Sequence, residues 1–159
     1  MDLRTAGERI VLTAWVGAMW TVGFVVAPLL FRVLTSRVIA GDIAGRLFGI
    51  INDIGLGATT ALLLSAGQVC GREFLRRWQV WALLLVAVLI VTSEFVLTPM
   101  MQSLRDAAHG VDIEKTAEYG RFMALHGVSA TLYVINSVLG LALVAAGMPR
   151  ARAEAGAKV

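Results

Sequence analysis

Four long apolar stretches, roughly Ile10–Phe31, Leu47–Val69, Trp78–Thr98 and Phe122–Gly147, dominate the chain. Each meets the requirement of about 20 residues for a helix that crosses a hydrocarbon core some 30 Å thick. The period-2 alternation of a membrane β-barrel is absent from them. In lipid a helix satisfies its own backbone hydrogen bonds, so the pattern predicts an all-α protein, a bundle of four transmembrane helices with short loops. Residues 32–46 and 71–77 form basic connections. Residues 99–121 are longer and mixed in charge, with room for an amphipathic surface helix between helices three and four. A single transmembrane domain is expected over 1–148, followed by a polar, Ala-rich tail over 149–159, and no repeat of fixed period is evident.

Composition strengthens this reading. Charged residues make up 16% of the 159, hydrophobic residues 58%, and the mean hydropathy is +0.77. A soluble domain carries about 25% charged residues, so too few remain here to solvate a globular surface. The net charge of +3 sits in short clusters at the ends of the apolar runs, which fits membrane flanks rather than nucleic acid. With the N-terminus inside, the inner set holds eight cations: Arg4, Arg9, Arg72, Arg76, Arg77, Arg150, Arg152 and Lys158. The outer set holds six, Arg32, Arg37, Arg46, Arg105, Lys115 and Arg121, so both termini are expected inside. Trp78 and Trp81 fit an interfacial anchor. The first apolar run is longer than the core of a cleaved signal peptide and is read as a retained helix. Cys70 is the lone cysteine, so no intramolecular disulfide can form.

Three ionisable residues fall inside the apolar stretches: Asp53, Glu94 and His126. Counted at 1.5 Å per residue, they lie roughly 9, 6 and 6 Å from the outer ends of their helices. They therefore share a depth, on the outer side. Two carboxylates and an imidazole at one height can brace the helices through Arg32, Arg46 or Arg121, bind a cation or relay a proton. Helix four adds a polar stripe, His126, Ser129, Tyr133, Asn136 and Gly140, at steps of three and four. Glue between helices is the favoured reading of that stripe. Gly45, Gly49, Asp53, Gly57 and Ala61 recur every four residues on helix two and are expected to let another helix approach closely. Met100, Met101, Met123 and His109 place soft ligands near the same outer face, which keeps copper open. Pro28 and Pro99 are expected to end or kink helices one and three. No phosphate loop, nucleophile elbow or complete triad is present, so enzyme activity has no positive support.

Trp15-Val-Gly17, Phe24-Val-Val-Ala-Pro28-Leu-Leu-Phe31-Arg32 and Ala44-Gly45-Arg46-Leu47-Phe48 together resemble the opening of the transmembrane protein 205 family. Its bacterial members are filed as a domain of unknown function, of the 4149 type. Thr98-Pro99 with Leu104-Arg105, and Arg121-Phe122 with His126-Gly127-Val128-Ser129, resemble that family's third-helix end and fourth-helix start. The resemblance implies a four-helix protein, expected in the inner membrane of a bacterium. It marks Pro28, Phe31, Arg32 and His126, and it implies no agreed activity.

Three functions follow as expectations. The first is solute or metal handling through the outer polar layer. The second is a non-catalytic accessory or scaffolding subunit, as a homo-oligomer or in a larger membrane complex. The third is a haem- or copper-binding membrane protein, with haem resting on His126 and Tyr133. The lipid bilayer is the expected partner in every case, with no role for nucleic acid.

Overall fold

The computed structural model describes residues 3–108 and 111–149, so His109 and the tail beyond Pro149 lie outside the described residues. Four spans emerge, each long and apolar enough to cross a membrane. They are α1 (Leu3–Val33), α2 (Arg37–Cys70), α3 (Trp78–Ala107) and α4 (Tyr119–Ala146). No strand occurs among the described residues. Neighbours pack in a ring, α1 on α2, α2 on α3, α3 on α4 and α4 on α1. Short connections make successive helices antiparallel, so α1 and α3 run in the same direction.

The helices extend beyond their apolar runs. α2 starts at Arg37, where the Ser36 hydroxyl accepts from the Ile39 N–H at 3.4 Å and caps the first turn. It ends where Gly71 takes a φ of +48°, a conformation glycine reaches without a Cβ penalty. A 3₁₀ turn over Gly71–Arg76 then leads into α3. Trp78 and Trp81 stand exposed there, and the Trp81 indole donates to the Leu75 carbonyl at 2.8 Å. The amphipathic segment of the third connection, Thr98–Ala107, is continuous with α3 rather than a separate surface helix. A 3₁₀ turn, Ile113–Lys115, completes that connection.

Neither Pro28 nor Pro99 ends its helix. Each follows a five-residue π turn, Val22–Val26 in α1 and Ser93–Leu97 in α3. The Ala27 and Thr98 N–H groups reach back five residues, to the Val22 and Ser93 carbonyls. Widening the helix just ahead of the proline relieves the clash between its ring and the preceding turn. The two segments match at Thr21 and Thr92, Phe24 and Phe95, Val25 and Val96, and Pro28 and Pro99. Each half of the chain also carries Gly-Arg early in its second helix, Gly45-Arg46 and Gly120-Arg121. The likeness is local to the two proline turns and sets no fixed period along the chain.

The interior holds two apolar clusters. Leu12, Leu62, Ala66, Val80, Leu83 and Leu143 fill the end nearer the termini, and Trp15, Val16, Met19, Ile51, Val86 and Ile90 fill the middle. Phe24, Leu64 and Phe95 point outward, as lipid-facing residues do. At the terminal end Arg4 donates to the Ser65 hydroxyl at 2.9 Å, to the Ser65 carbonyl and to Glu8 at 3.2 Å, tying the start of α1 to α2.

Close packing uses other glycines than the expected Gly45, Gly49 and Gly57. A Cβ on Gly23 would overlap the Tyr133 ring. One on Gly55 would lie 2.7 Å from the Trp15 indole nitrogen, and one on Gly140 2.8 Å from Val16 Cγ2. Gly57 meets nothing within 4 Å.

Candidate functional site

The end of the bundle opposite the termini gathers most of the polar chemistry. Gly41, Gly45 and Gly49 form a shallow trough along α2, and side chains from α3 lie over it. A Cβ on Gly41 would sit 3.3 Å from the Arg105 guanidinium, one on Gly45 3.9 Å from it, and one on Gly49 3.7 Å from Glu94 Oε1. The small-residue face thus accommodates charged side chains over its first two turns rather than another helix backbone. Below Gly49 the face turns away, so that Asp53, Gly57 and Ala61 are exposed on the lipid side.

Glu94 sits in the α3 π turn, part-buried, and accepts from the Asn52 amide at 2.9 Å. The residues around positions 52 and 94 thus share a height, but Asn52, not Asp53, is the group that meets Glu94. One residue along a helix is a rotation of about 100°, so Asp53 leaves the bundle and makes no hydrogen bond or ion pair among the described residues. His126 is also exposed, its ring parallel to Phe122 with centroids 6.1 Å apart. Asp53, Glu94 and His126 are consequently not assembled into one site. The arginine brace does not form either. Arg121 pairs with Glu118 at 3.3 Å, while Arg32 and Arg46 are exposed with no ion pair among the described residues.

Arg105 is the cation that does reach inward. Its guanidinium lies over the Phe122 ring at 5.1 Å, donates to the Gly41 carbonyl at 3.4 Å and stands 3.7 Å from Asp42. Arg37 at the start of α2 pairs with Glu114 of the third connection. These residues wall a cavity of about 620 Å³ between α1, α2, α3, α4 and that connection. Phe31, Val38, Tyr119, Phe122 and Met123 supply its apolar lining, and His126 stands at its edge. The volume falls in the range of about 300–1,000 Å³ typical of small-molecule sites. In sequence Arg105 counted only as a loop charge. The signal that could have found it is its position two turns past Pro99, inside a segment that stays helical.

The α4 stripe splits by function. Tyr133 donates its hydroxyl to the Met19 carbonyl, binding α4 to α1, and Phe48 packs edge-on against its ring at 5.1 Å. Asn136 and Gly140 are buried, and Ser129 is half-buried. Trp15 Nε1, Thr59 Oγ1, Asn136 Oδ1 and Ser137 Oγ are buried polar atoms without a partner among the described residues. No group of three or more His, Cys, Asp or Glu among the described residues is arranged to hold a metal ion. His126 and Tyr133 are divided between the cavity and the α1 contact, so the haem expectation finds no shared pocket in them.

Fold and site together define a multi-pass integral membrane protein with a polar-walled cavity at one end. The chain belongs to the family of the domain of unknown function DUF4149, whose model matches residues 10–110, well over half its length. Neither the curated proteins nor the solved structures contain a significant match.

Proposed function

We propose that this is a solute-binding protein of a bacterial inner membrane, which takes a small amphipathic molecule into the cavity at the outer end of the bundle and does so without catalysis. The observation that carries the reading is the placement of Arg105. Its guanidinium rests on Phe122, donates to the Gly41 carbonyl at 3.4 Å and stands 3.7 Å from Asp42, at a cavity whose wall mixes apolar side chains with the charged groups of Arg37, Asp42, Asp106, Asp112 and Glu114. A carboxylate or phosphate group suits the remaining guanidinium donors, and an apolar body suits Phe31, Val38, Tyr119 and Met123. The eight-to-six balance of cations supports this end being outside, where a solute arrives from water or from the outer leaflet.

The test is photo-crosslinking of purified protein in nanodiscs with a diazirine-bearing medium-chain carboxylate. Labelled peptides from Tyr119–His126, competed away by excess unlabelled carboxylate and lost in Arg105→Gln, support the proposal. Labelling spread over all lipid-facing surfaces, or unchanged by Arg105→Gln, refutes it.

A further inference from the structure

The terminal end of α2 carries a shallow groove on its lipid side, with a volume of about 550 Å³. It is lined by Thr60, Leu63, Leu64, Gly67, Gln68 and Phe74. From Thr60 to Gln68 it runs roughly 12 Å along the helix axis. One leaflet of hydrocarbon is about 15 Å deep, so the groove spans most of a leaflet. Past Thr60 its wall is apolar until Gln68, which stands exposed at the mouth. Gly67 keeps the groove open, since a Cβ there would reach the Phe74 ring at 3.9 Å. The 3₁₀ turn Gly71–Arg76 closes the mouth and supplies Phe74. Two residues to either side of Phe74, Arg72 and Arg76 are exposed, with no ion pair among the described residues. The carboxylate of the same turn, Glu73, meets Arg77 at 3.5 Å. Trp78 and Trp81 stand exposed just beyond, which sets this level at the membrane–water interface.

We propose that an anionic phospholipid occupies this groove, with one acyl chain along α2 and its phosphate held by Arg72 and Arg76. The polarity of the site runs in the order of that molecule. Leu63, Leu64 and Phe74 offer an apolar wall to the chain, and the Gln68 amide stands at the height of the glycerol esters, to which it can donate. The two guanidinium groups lie beyond, at the height of the headgroup. Guanidinium matches phosphate with paired donors, and basic sites at the cytoplasmic ends of membrane helices take acidic headgroups. Charge selects among lipids: a choline headgroup brings its own cation to two arginines, whereas an anionic headgroup leaves the phosphate charge uncompensated for them to meet. By the balance of cations this end faces the inner leaflet. The site is at the opposite end of the bundle from the Arg105 cavity, so it stands independently of solute binding.

The test uses full-length protein, delipidated in detergent and titrated with phosphatidylglycerol or with phosphatidylcholine of the same acyl chains. Native mass spectrometry counts the lipid retained. One phosphatidylglycerol per chain is expected, held at least about tenfold more tightly than phosphatidylcholine. Arg72→Gln with Arg76→Gln is expected to reduce that preference to under about threefold. Arg32→Gln with Arg46→Gln removes the same charge at the other end of the bundle and is expected to leave it unchanged. Gly67→Leu fills the groove and is expected to abolish retention with every cation in place. Glycerol phosphate in excess, which has the anion without the chains, is expected not to displace the lipid. All the substituted residues are exposed, and an unchanged unfolding midpoint in detergent confirms that each variant is folded. Equal retention of the two lipids, an equal loss from both arginine pairs, retention that survives Gly67→Leu, or displacement by glycerol phosphate overturns the proposal.

Discussion

Replacing single glycines by alanine separates those that allow packing from those that merely lie on a lipid face. In an exposed helix interior Gly→Ala gains about 1 kcal/mol of helix propensity. Gly57 has free space around it, so Gly57→Ala is expected to keep that gain within a single bundle. At Gly23 the new methyl group would overlap the Tyr133 ring, which is pinned by its hydroxyl to Met19 and edge-on by Phe48. Overpacking costs about 1–3 kcal/mol, and displacing the ring also breaks the hydrogen bond, worth about 0.6–1.7 kcal/mol between membrane helices. Set against the propensity gain, the net loss for Gly23→Ala is about 1–3 kcal/mol. Equilibrium unfolding in mixed micelles, with SDS as denaturant, measures both. A double-mutant cycle locates the cause: Tyr133→Ala removes the ring, so Gly23→Ala added to it is expected to cost nothing further, whereas Tyr133→Phe keeps the ring and leaves the clash. Equal effects at Gly23 and Gly57, or additivity of Gly23→Ala with Tyr133→Ala, would refute the packing assignment.

Other outcomes follow from the polar contacts. Asn52→Ala strips Glu94 of its amide donor and is expected to cost about 1–3 kcal/mol in the same unfolding assay, with Glu94→Gln added to it recovering part of the loss. Ser137→Ala removes a buried hydroxyl that has no partner among the described residues and is expected to leave stability unchanged or raise it. Charge reversal at Arg37, more than half exposed where it meets Glu114, is expected to shift stability by under about 1 kcal/mol and to fade in high salt. Cys70, at the terminal end of α2, is expected to escape a membrane-impermeant maleimide applied to intact cells and to react once the cells are opened, while Val111→Cys in a Cys70→Ser chain reacts in intact cells.

The four spans were legible because hydropathy is a sum over about 20 residues, and no single position can overturn it. Rotation about each helix axis was not. Asp53 and Asn52 are neighbours in sequence, yet one faces lipid and the other meets Glu94, and no count of residues from a helix end distinguishes them. The π turns add to this, since each inserts a residue and turns the face of everything that follows, Arg105 included. Proline read as a stop or a kink because the rule describes regular helices, and the wide turn ahead of Pro28 and Pro99 lets each helix run on past it. The Gly45–Gly49 stripe was found, but its use was misread. Small residues signal that something comes close without saying whether it is a backbone or a long charged side chain.

The paired proline-bearing turns put the same backbone irregularity into α1 and α3, the two helices that run in the same direction. The two turns carry the same residue types at Thr21 and Thr92, Phe24 and Phe95, Pro28 and Pro99. They differ at Gly23 and Glu94, where one leaves room for the Tyr133 ring and the other carries a charge that meets Asn52. Because the wide turn is set by the backbone ahead of the proline, the side chains within it can differ in size and charge while the path of the helix stays the same.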